Sequence, residues 1–523
     1  MGCTRRELIL SASAGLFLMP NAFATTAARH VTLDAATAAK PIDRFFDHCV
    51  GADYPGTTMR EDCQAQLKTV VDELGFRYLR FHAIFHDVLN TVKRDAEGEL
   101  SFDFSGIGRL YDGLLAKGIR PLVELGFTPD ALATSKQTIF YWKGNTSHPQ
   151  VEGWDALLRA FIPFLQKRYG AEEVRRWYFE VWNEPNLDGF WERADQAAYF
   201  DLYARSAKII KSIDPQLRVG GPSTAGAAWV PELLAYAEAH DAPVDFISTH
   251  SYGVDGGFLD EKGEQDTRLS PSPDSIVGDV RRVREQIQAS HLPGLPLFFT
   301  EWSTSYNPRD KVHDAYQSAA WLLARLKRCQ GLAQSMSYWT YTDLFEEPGP
   351  PDRPFHGGFG LLTREGVRKP VYFAYQYLHA LRGREIAGGD GCWASVDERG
   401  VEAVLWDEQA VPMGQLTNRD YFGKPRAPGP AAPVQLTLKH LKPGRYMLRV
   451  HRTGYQANDA YTAYLQMGAP DKLDEASLAR LHGLTKDLPE QTRELLVGAN
   501  GQTELTLSMR AHDVLRVSLQ RHG

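Results

Sequence analysis

Between residues 44 and 382 the sequence alternates short apolar runs with longer amphipathic segments, and this alternation constrains the fold more than any other feature. A short apolar run between turn signals is typical of a buried strand, whereas apolar residues at i, i+3, i+4 and i+7 predict a helix. Segment 60–75 shows the helical pattern, with Leu67, Val70 and Leu74 on one face. The strand-like runs are 45–51, 77–85, 120–127, 175–183, 218–223, 244–252, 296–303 and 335–343.

Eight strand-then-helix units predict an α/β fold of the (β/α)8 type, a TIM barrel over residues 44–382. The competing fold with the same alternation is a doubly wound open sheet. The dinucleotide-binding form of that sheet has the motif G-x-G-x-x-G after its first strand, and the sequence has no such motif there. The barrel is therefore the predicted fold.

Beyond residue 382 the sequence changes to segments rich in strand-forming residues, such as 444–452. This texture predicts a C-terminal all-β sandwich domain over residues 383–523. Segment 503–520 predicts two strands around a turn. Residues 25–43 contain one more strand-like run, HVTLDA, which we expect to join the β domain.

Residues 1–24 have the features of an export signal rather than of a folded segment. An arginine pair at 5–6 precedes a modest apolar stretch, and Ala-Phe-Ala at 22–24 is a small-x-small cleavage site. The arginine pair followed by apolar residues is typical of a twin-arginine signal, and a general secretory signal is the alternative. We therefore expect an exported protein, periplasmic or secreted.

The composition, 43% hydrophobic and 24% charged, is that of a soluble globular protein. A net charge of −7 argues against nucleic acid or an anionic membrane as a partner. No segment after the signal is apolar enough to span a membrane. Cys49, Cys63, Cys329 and Cys392 are too scattered for a disulfide framework or a zinc site. We predict no metal and no cofactor, and the oligomeric state stays open.

Two carboxylates close predicted strands that face each other across the barrel. Glu184 ends the fourth strand, in WNEPN, and Glu301 ends the seventh, in FFTEWS. Functional side chains of such barrels collect at the C-terminal ends of the strands. Hydrolysis of a glycosidic bond needs one carboxyl group that protonates the leaving oxygen and a second that attacks or activates water. The pair therefore favours a glycosidase, and two ordinary strand-end charges are the alternative.

The motifs around these glutamates resemble those of one enzyme family. WNEPN on the fourth strand with TEW on the seventh is similar to the signature of the clan A glycoside hydrolases. LRFHAIFHD, STHSYG and YWTYTDLFEE, in this order along residues 44–382, resemble glycoside hydrolase family 39, most closely its bacterial β-xylosidases. That family also carries an appended β-sandwich. The ordered run of motifs is more specific than any one of them.

The resemblance implies a retaining double displacement, with Glu184 as general acid/base and Glu301 as nucleophile, about 5–5.5 Å apart. Glu184 then needs a raised pKa, and we expect an ionised Glu301 beside it to raise that pKa. The resemblance also implies that substrate is bound by residues at strand ends and on the loop after the eighth strand. These residues are His82, Asn183, His250, Tyr252, Trp339, Glu346 and Glu347.

Each of these binding residues has a structural alternative: a capping asparagine, core histidines, a core tryptophan, and a solvated acidic pair at 346–347. Glu124 and Glu180 are further carboxylates on predicted strands. Glu180 lies on the same strand face as Glu184 but deeper, because strand side chains alternate between faces. We expect Glu180 to be a buried structural partner of Arg80.

The leading prediction is a retaining exo-1,4-β-xylosidase that releases xylose from the non-reducing end of xylo-oligosaccharides. Loops 253–275 and 344–368 are expected to wall its pocket. One alternative keeps the mechanism on another sugar, as an α-L-arabinofuranosidase or an α-L-iduronidase-like enzyme. The latter needs a cation for the uronate carboxylate, and Arg309 and Lys311 are candidates. A non-catalytic carbohydrate-binding protein is the alternative of another class.

Overall fold

The computed structural model describes residues 27–522, so the predicted export signal lies outside the described residues. Eight parallel strands close into a barrel in which each strand pairs with its neighbours in sequence and the eighth pairs with the first. This confirms the predicted (β/α)8 fold. The strands are β1 Cys49–Ala52, β2 Tyr78–Phe81, β3 Arg120–Leu125, β4 Tyr178–Val181, β5 Arg218–Thr224, β6 Phe246–Tyr252, β7 Leu297–Ser303 and β8 Ser335–Tyr338.

A helix follows each barrel strand, and local sequence signals set several of the helix ends. The α1 helix ends at Gly75, which takes the left-handed conformation (φ 75°) that glycine adopts at little cost. The α4 helix begins after Asp195, whose side chain accepts a hydrogen bond from the Ala198 N–H. The helices are α1 Glu61–Leu74, α2 Ser105–Leu115, α3 Val151–Tyr169, α4 Gln196–Ile213, α5 Val230–Ala239, α6 Val277–Gln288, α7 Gln317–Cys329 and α8 Pro370–Ala380.

Shorter elements decorate the loops of the barrel. The predicted loop after β6 contains a two-stranded hairpin, Val254–Leu259 with Gln265–Leu269, and similar small ladders follow β2 and β3. The expected start of the first strand is wrong, because residues Phe45–Asp47 form a 3-10 turn. Two short α-helices are Pro55–Thr58 and Ala171–Val174.

The inside of the barrel is layered by the two-residue period of its strands. The lowest layer is apolar and buried, with Leu122, Phe246 and Phe298 among its members. The next inward-facing positions, two residues along the strands, are polar: they include Arg80 and Glu180, which are fully buried. The barrel therefore has an apolar floor and a charged layer directly beneath its C-terminal rim.

The C-terminal region forms two sheets that share one hydrophobic core. The N-terminal strand Arg29–Asp34 pairs in parallel with Val434–Lys439 in a three-stranded sheet. The strands Thr503–Leu507 and Val514–Arg521 enter different sheets and do not pair with each other. The six-stranded sheet contains, in order, Arg384–Ile386, Cys392–Asp397, Gly400–Trp406, Val514–Arg521, Gly444–Thr453 and Gln491–Val497.

This region also contains helices that the expected all-β pattern did not include. They are Asn418–Phe422, Ala460–Gln466 and Glu475–Leu484. The last two begin after aspartates, Asp459 and Asp474, whose side chains accept backbone N–H groups of the first turn. The strand content of the region agrees with the sequence analysis, and the helices fill connections between its strands.

The barrel and the C-terminal region share a hydrophobic core. Trp393 is fully buried and its ring centroid lies 5.5 Å from that of Phe46 and 6.3 Å from that of Phe45. Arg325 on α7 pairs with Glu408 at 2.7 Å.

The four cysteines from Cys49 onward are buried and free. None of the helices within residues 27–522 has the length and apolar character needed to cross a bilayer.

Candidate active site

A cavity of about 430 Å³ opens at the C-terminal ends of the barrel strands. Seven of the nine predicted site residues line it: His82, Asn183, Glu184, Tyr252, Glu301, Trp339 and Glu347. The sequence analysis did not single out the other lining residues, which belong mostly to the loops. They are Phe140, Leu187, Phe190, Ala225, Gly226, Ser251, Asp279, Tyr306 and Phe359.

Glu184 and Glu301 approach each other across this cavity. One carboxylate oxygen of Glu184 lies within 4.8 Å of one of Glu301. Pairs of about 5–5.5 Å belong to retaining glycosidases, whereas inverting enzymes need about 6.5–9.5 Å to hold a water between the carboxyl groups. The separation therefore suits direct attack by one carboxylate while the other transfers a proton.

The backbone at the end of β4 is strained where it delivers Glu184. Trp182 and Glu184 both have positive φ values, 70° and 45°, which residues other than glycine seldom adopt. Each costs on the order of 1–3 kcal/mol, and such strain persists only where the surroundings impose it. The Glu184 N–H donates to the Ser223 carbonyl at 2.8 Å, and the Asn186 side chain holds the backbone of Ala225. These contacts fix the turn that follows β4.

Arg80 lies at the centre of the charged layer and holds residues from both β4 and β7. Its Nε donates to Glu180 Oε2 at 2.6 Å, Nη1 to Glu301 Oε1 at 2.5 Å, and Nη2 to Asn183 Oδ1 at 2.7 Å. This confirms the expected pairing of Glu180 with Arg80. Glu301 Oε2 accepts a hydrogen bond from the Tyr252 hydroxyl at 2.7 Å. Both oxygens of Glu301 are therefore held by donors.

Burial raises the pKa of Glu184 to about 7. The positive charges of His82 and Arg80 oppose this rise, and the Glu124 carboxylate adds to it. The expected cause was the negative charge of Glu301, and this is corrected: loss of water around the carboxyl group dominates. Glu184 is thus protonated in a large fraction of molecules near neutral pH.

His250 lies behind Glu184 and does not line the cavity. Its Nδ1 lies 2.9 Å from Glu184 Oε1, and its Nε2 lies within hydrogen-bond reach of the Ser223 and Thr300 hydroxyls. Burial lowers the pKa of His250 to about 4, so the ring is neutral near neutral pH. A neutral ring orients the Glu184 carboxyl group without adding a charge.

His82 and Glu347 form the opposite side of the cavity. His82 Nδ1 lies 2.7 Å from Glu124 Oε2, and Nε2 lies 3.1 Å from Glu347 Oε1. Burial lowers the pKa of His82, but Glu124 and Glu347 outweigh it and hold that pKa well above its ordinary value. Burial raises the pKa of Glu347 to about 8. Trp339 lies 4.7 Å from the His82 ring, between centroids, and forms an apolar wall.

Glu346 corrects the prediction that both acidic residues of the loop after β8 face the substrate. Its carboxylate pairs with Arg60 at 2.8 Å, and its N–H donates to Asp53 Oδ2 at 2.8 Å. Adjacent residues of this loop project to opposite sides, so Glu347 enters the cavity and Glu346 leaves it. The Asp53 contact fixes the backbone directly before Glu347.

Glu184, His250 and Glu301 bring potential ligand atoms within 4.8 Å of one another, which is close enough for a shared cation. The donor set argues against such a site. Both oxygens of Glu301 already accept hydrogen bonds, one of them from the Arg80 guanidinium at 2.5 Å. A bound cation would meet that fixed positive charge at close range.

The candidate uronate-binding residues lie elsewhere. Arg309 donates to the Gly349 carbonyl at 2.9 Å, and neither Arg309 nor Lys311 lines the cavity. Within residues 27–522, no lysine or arginine side chain lines it. A sugar carboxylate would therefore meet no ammonium or guanidinium group there, and the His82 ring, whose pKa is raised, is already paired with Glu124 and Glu347.

The sequence and the structure of this chain are similar to those of known proteins. The family model of glycosyl hydrolases family 39 matches residues 29–501, a span that contains every barrel strand and both glutamates. A β-xylosidase of Caldicellulosiruptor saccharolyticus is 35% identical over 499 residues, which cover 94% of this chain and 98% of the relative.

Two solved structures are similar over almost the whole chain. The GH39 enzyme from Xanthomonas axonopodis pv. citri is 57% identical with a TM-score of 0.94, covering 97% of this chain and 100% of that one. A monomeric β-xylosidase from Caulobacter crescentus CB15 is 59% identical with a TM-score of 0.93, covering 95% of this chain and 100% of that one.

Proposed function

The chain belongs to family 39 of the glycosyl hydrolases and is a glycoside hydrolase, and from this premise we propose that it is a retaining β-xylosidase. Its substrates are xylo-oligosaccharides or β-xylosides, from which it releases xylose at the non-reducing end. The observation that carries the mechanism is the pair of carboxyl groups with one oxygen of each within 4.8 Å, in which burial raises the pKa of Glu184 to about 7 and two donors hold Glu301.

In the first step Glu301 attacks the anomeric carbon and forms an ester bond to the sugar. The glycosidic bond breaks, and Glu184 gives its proton to the departing oxygen. In the second step Glu184, now ionised, takes a proton from water, and the resulting hydroxide displaces Glu301 from the sugar. Two inversions at the anomeric carbon leave its configuration retained.

In this proposal Asn183 binds the 2-hydroxyl of the sugar at the reacting position. Arg80 holds its Oδ1, whereas its Nδ2 is buried and has no hydrogen-bond partner among the described residues. A buried donor without a partner costs free energy, which a sugar hydroxyl at the cavity would recover. A hydrogen bond to the 2-hydroxyl strengthens as the oxocarbenium-like transition state forms.

The remaining cavity residues suit a neutral pentose. His82 and Glu347 present polar atoms to sugar hydroxyls, and Trp339 and Phe359 present apolar surface to the ring. A uronic acid is disfavoured because no lysine or arginine within residues 27–522 lines the cavity and the His82 ring is already paired with two carboxylates, Glu124 and Glu347.

The decisive experiment replaces Glu301. Glu301→Ala is expected to abolish hydrolysis of an activated aryl β-xyloside, and added azide should restore turnover and yield a glycosyl azide of inverted configuration. Glu346→Ala is the control, since Glu346 is a carboxylate that precedes the cavity residue Glu347 but pairs with Arg60 outside the cavity. Release of xylose with inversion by the wild type would exclude Glu301 as nucleophile. Aryl arabinofuranoside, iduronide and glucoside should be poor substrates beside the xyloside.

We also propose export to the periplasm or the medium, which the arginine pair and the Ala-Phe-Ala sequence of residues 1–24 support. Replacement of both Arg5 and Arg6 by lysine should leave the protein in the cytoplasm on cell fractionation. Normal export of that variant would argue for the general secretory route.

A further inference from the structure

A short segment of the C-terminal region reaches back onto two loops of the barrel. We name residues 415–420 the clamp segment. It lies against the hairpin Val254–Leu259 with Gln265–Leu269, which follows β6, and against loop 304–316, which follows β7. Both loops adjoin the cavity. The clamp segment is therefore one place at which the C-terminal region contacts the loops that adjoin the cavity.

Asn418 joins the two loops through its side chain, which is fully buried. Its Oδ1 accepts the Leu269 N–H at 2.7 Å, and its Nδ2 donates to Asp310 Oδ2 at 2.7 Å. The same Asp310 oxygen accepts the Thr267 hydroxyl at 2.8 Å, and Asp310 Oδ1 accepts the Val312 N–H. One amide group thus connects the hairpin after β6 to the loop after β7 with both of its polar atoms.

Arg419 adds a charge-based contact to the same hairpin. Its guanidinium pairs with Asp260 at 2.6 Å and also with Glu264, and its N–H donates to Asp266 Oδ2 at 3.0 Å. Asp260 and Asp266 are each only 7% exposed. Buried carboxylates need a cation or donors, and the clamp segment supplies both.

The loops that the clamp segment joins meet at Tyr306, on the outer part of the cavity. Tyr306 lines the cavity but is 54% exposed, whereas the side chain of His82 is 2% exposed and that of Glu347 is 11% exposed. The hairpin backbone lies close to it: a Cβ built on Gly256 would be 3.2 Å from the Tyr306 hydroxyl. The Tyr252 ring stands edge-on to the Tyr306 ring at 6.4 Å between centroids.

The exposed position of Tyr306 indicates that this part of the cavity wall contacts the leaving-group sugar. On the proposed function, the sugar that bonds to Glu301 occupies the buried end beside His82 and Glu347. The next sugar must then extend toward the exposed end, where Tyr306 stands. We propose that Asn418 and Arg419 are positioning residues that hold the hairpin after β6 and the loop after β7 in place around the leaving-group sugar.

The test uses an isosteric change in the full-length protein. Asn418→Asp keeps the acceptor for the Leu269 N–H but places a carboxylate against Asp310. Its matched control is Asn458→Asp: Asn458 is also buried in the C-terminal region and donates to a carboxylate, Asp487, at 2.7 Å, away from the hairpin. Asp310→Asn combined with Asn418→Asp restores the hydrogen bond with donor and acceptor exchanged.

Two substrates separate leaving-group binding from the chemistry. Asn418→Asp should raise KM for xylobiose about fivefold or more. Turnover of β-xylosyl fluoride, whose leaving group fills no sugar site, should stay within about twofold of wild type. Backbone amides of residues 254–269 should exchange with deuterium faster, and the exchanged pair should recover both properties. The Asn458→Asp control should leave the xylobiose KM and the hairpin exchange unchanged.

Three results would overturn the proposal: equal losses on both substrates, the same KM change in Asn458→Asp, or an unchanged xylobiose KM despite faster hairpin exchange. Failure of the proposed function looks different, because the wild type itself would then hydrolyse neither xylobiose nor the fluoride. In that case hairpin exchange in Asn418→Asp still reports whether Asn418 holds the loops.

Discussion

Among single residues, Arg80 joins three carboxylates of the charged layer. Its fully buried guanidinium contacts Glu180, Glu301 and Glu124, the last at 3.0 Å. Removing water from these groups is costly, and their mutual attraction offsets the cost only while all partners are present. Arg80 therefore supports both the fold and the orientation of Glu301.

Replacing Arg80 by methionine should destabilise the protein by about 3–5 kcal/mol, because it leaves buried carboxylates without their cation. Urea unfolding monitored by tryptophan fluorescence measures the change. Arg205→Met is the control, since Arg205 pairs with Asp155 at the surface with 44% of its side chain exposed; that loss should be about 1 kcal/mol or less. A similar small loss for Arg80→Met would show that water or rearrangement replaces the guanidinium.

The pKa of Glu184 near 7 predicts how activity depends on pH. The proton donor must carry its proton, so kcat/KM for a substrate with a poor leaving group should fall as pH rises through about 7. A leaving group that needs no proton, such as 2,4-dinitrophenolate, should show little of this alkaline loss. Glu184→Gln should abolish the fall. If the dinitrophenyl xyloside loses activity at the same pH, another group, such as Glu347, is responsible.

At the scale of elements, a buried lysine ties the loops after β7 and β8 together. Lys369 Nζ lies 2.6 Å from carboxylate oxygens of both Asp314 and Asp343, and all three side chains are fully buried. The other oxygens of these carboxylates accept N–H groups of Gly357 and Gly360. Phe359, which lines the cavity, lies between those two glycines.

Lys369→Met should lower the free energy of unfolding by about 3–5 kcal/mol, since two buried carboxylates lose their cation. It should also raise KM, because residues 356–360 lose the contacts that hold Phe359. Lys68→Met offers a control: Lys68 pairs with Asp72 at 2.6 Å with 62% of its side chain exposed, and about 1 kcal/mol or less is expected. Thermal unfolding and xyloside kinetics give both readouts. A wild-type KM in Lys369→Met would show that the Lys369 network does not position Phe359 for substrate binding.

The sequence predicts strands of this fold better than it predicts loops, for a physical reason. A barrel strand buries both faces, so its apolar run and its terminal polar residue are visible locally, as for Glu184 and Glu301. Tyr306 and Phe359 lie on loops that carry contacts between residues distant in sequence, such as Asn418 with Asp310 and Lys369 with Asp314, and no local period marks them. The helix after Asp459 has an N-terminal cap residue, because Asp459 accepts the Thr462 N–H. The strand-forming residues on either side of it nevertheless favoured an all-β prediction.

At the scale of the whole molecule, the barrel and the C-terminal region should unfold together. One hydrophobic cluster contains barrel residues as well as Trp393, Trp406 and Val514 from the C-terminal sheets. Scanning calorimetry is expected to give a single transition whose calorimetric and van't Hoff enthalpies agree.

Trp393→Ala should lower the free energy of unfolding by about 3–5 kcal/mol. The midpoint temperature of the single transition should therefore fall, and the transition should not split in two. Two separated transitions in the wild type would mean that the shared core does not couple the regions. A variant that unfolds in two steps, from a wild type that unfolds in one, would instead assign the coupling to Trp393 itself.

The parallel pairing of Arg29–Asp34 with Val434–Lys439 has a consequence for synthesis. Chains emerge from the ribosome N-terminus first, and domains generally fold as they are completed. This strand is made before the barrel, yet its partner follows only after the entire barrel has been translated. The N-terminal strand must therefore stay unpaired while the barrel is translated, and this sheet can form only once the C-terminal region emerges.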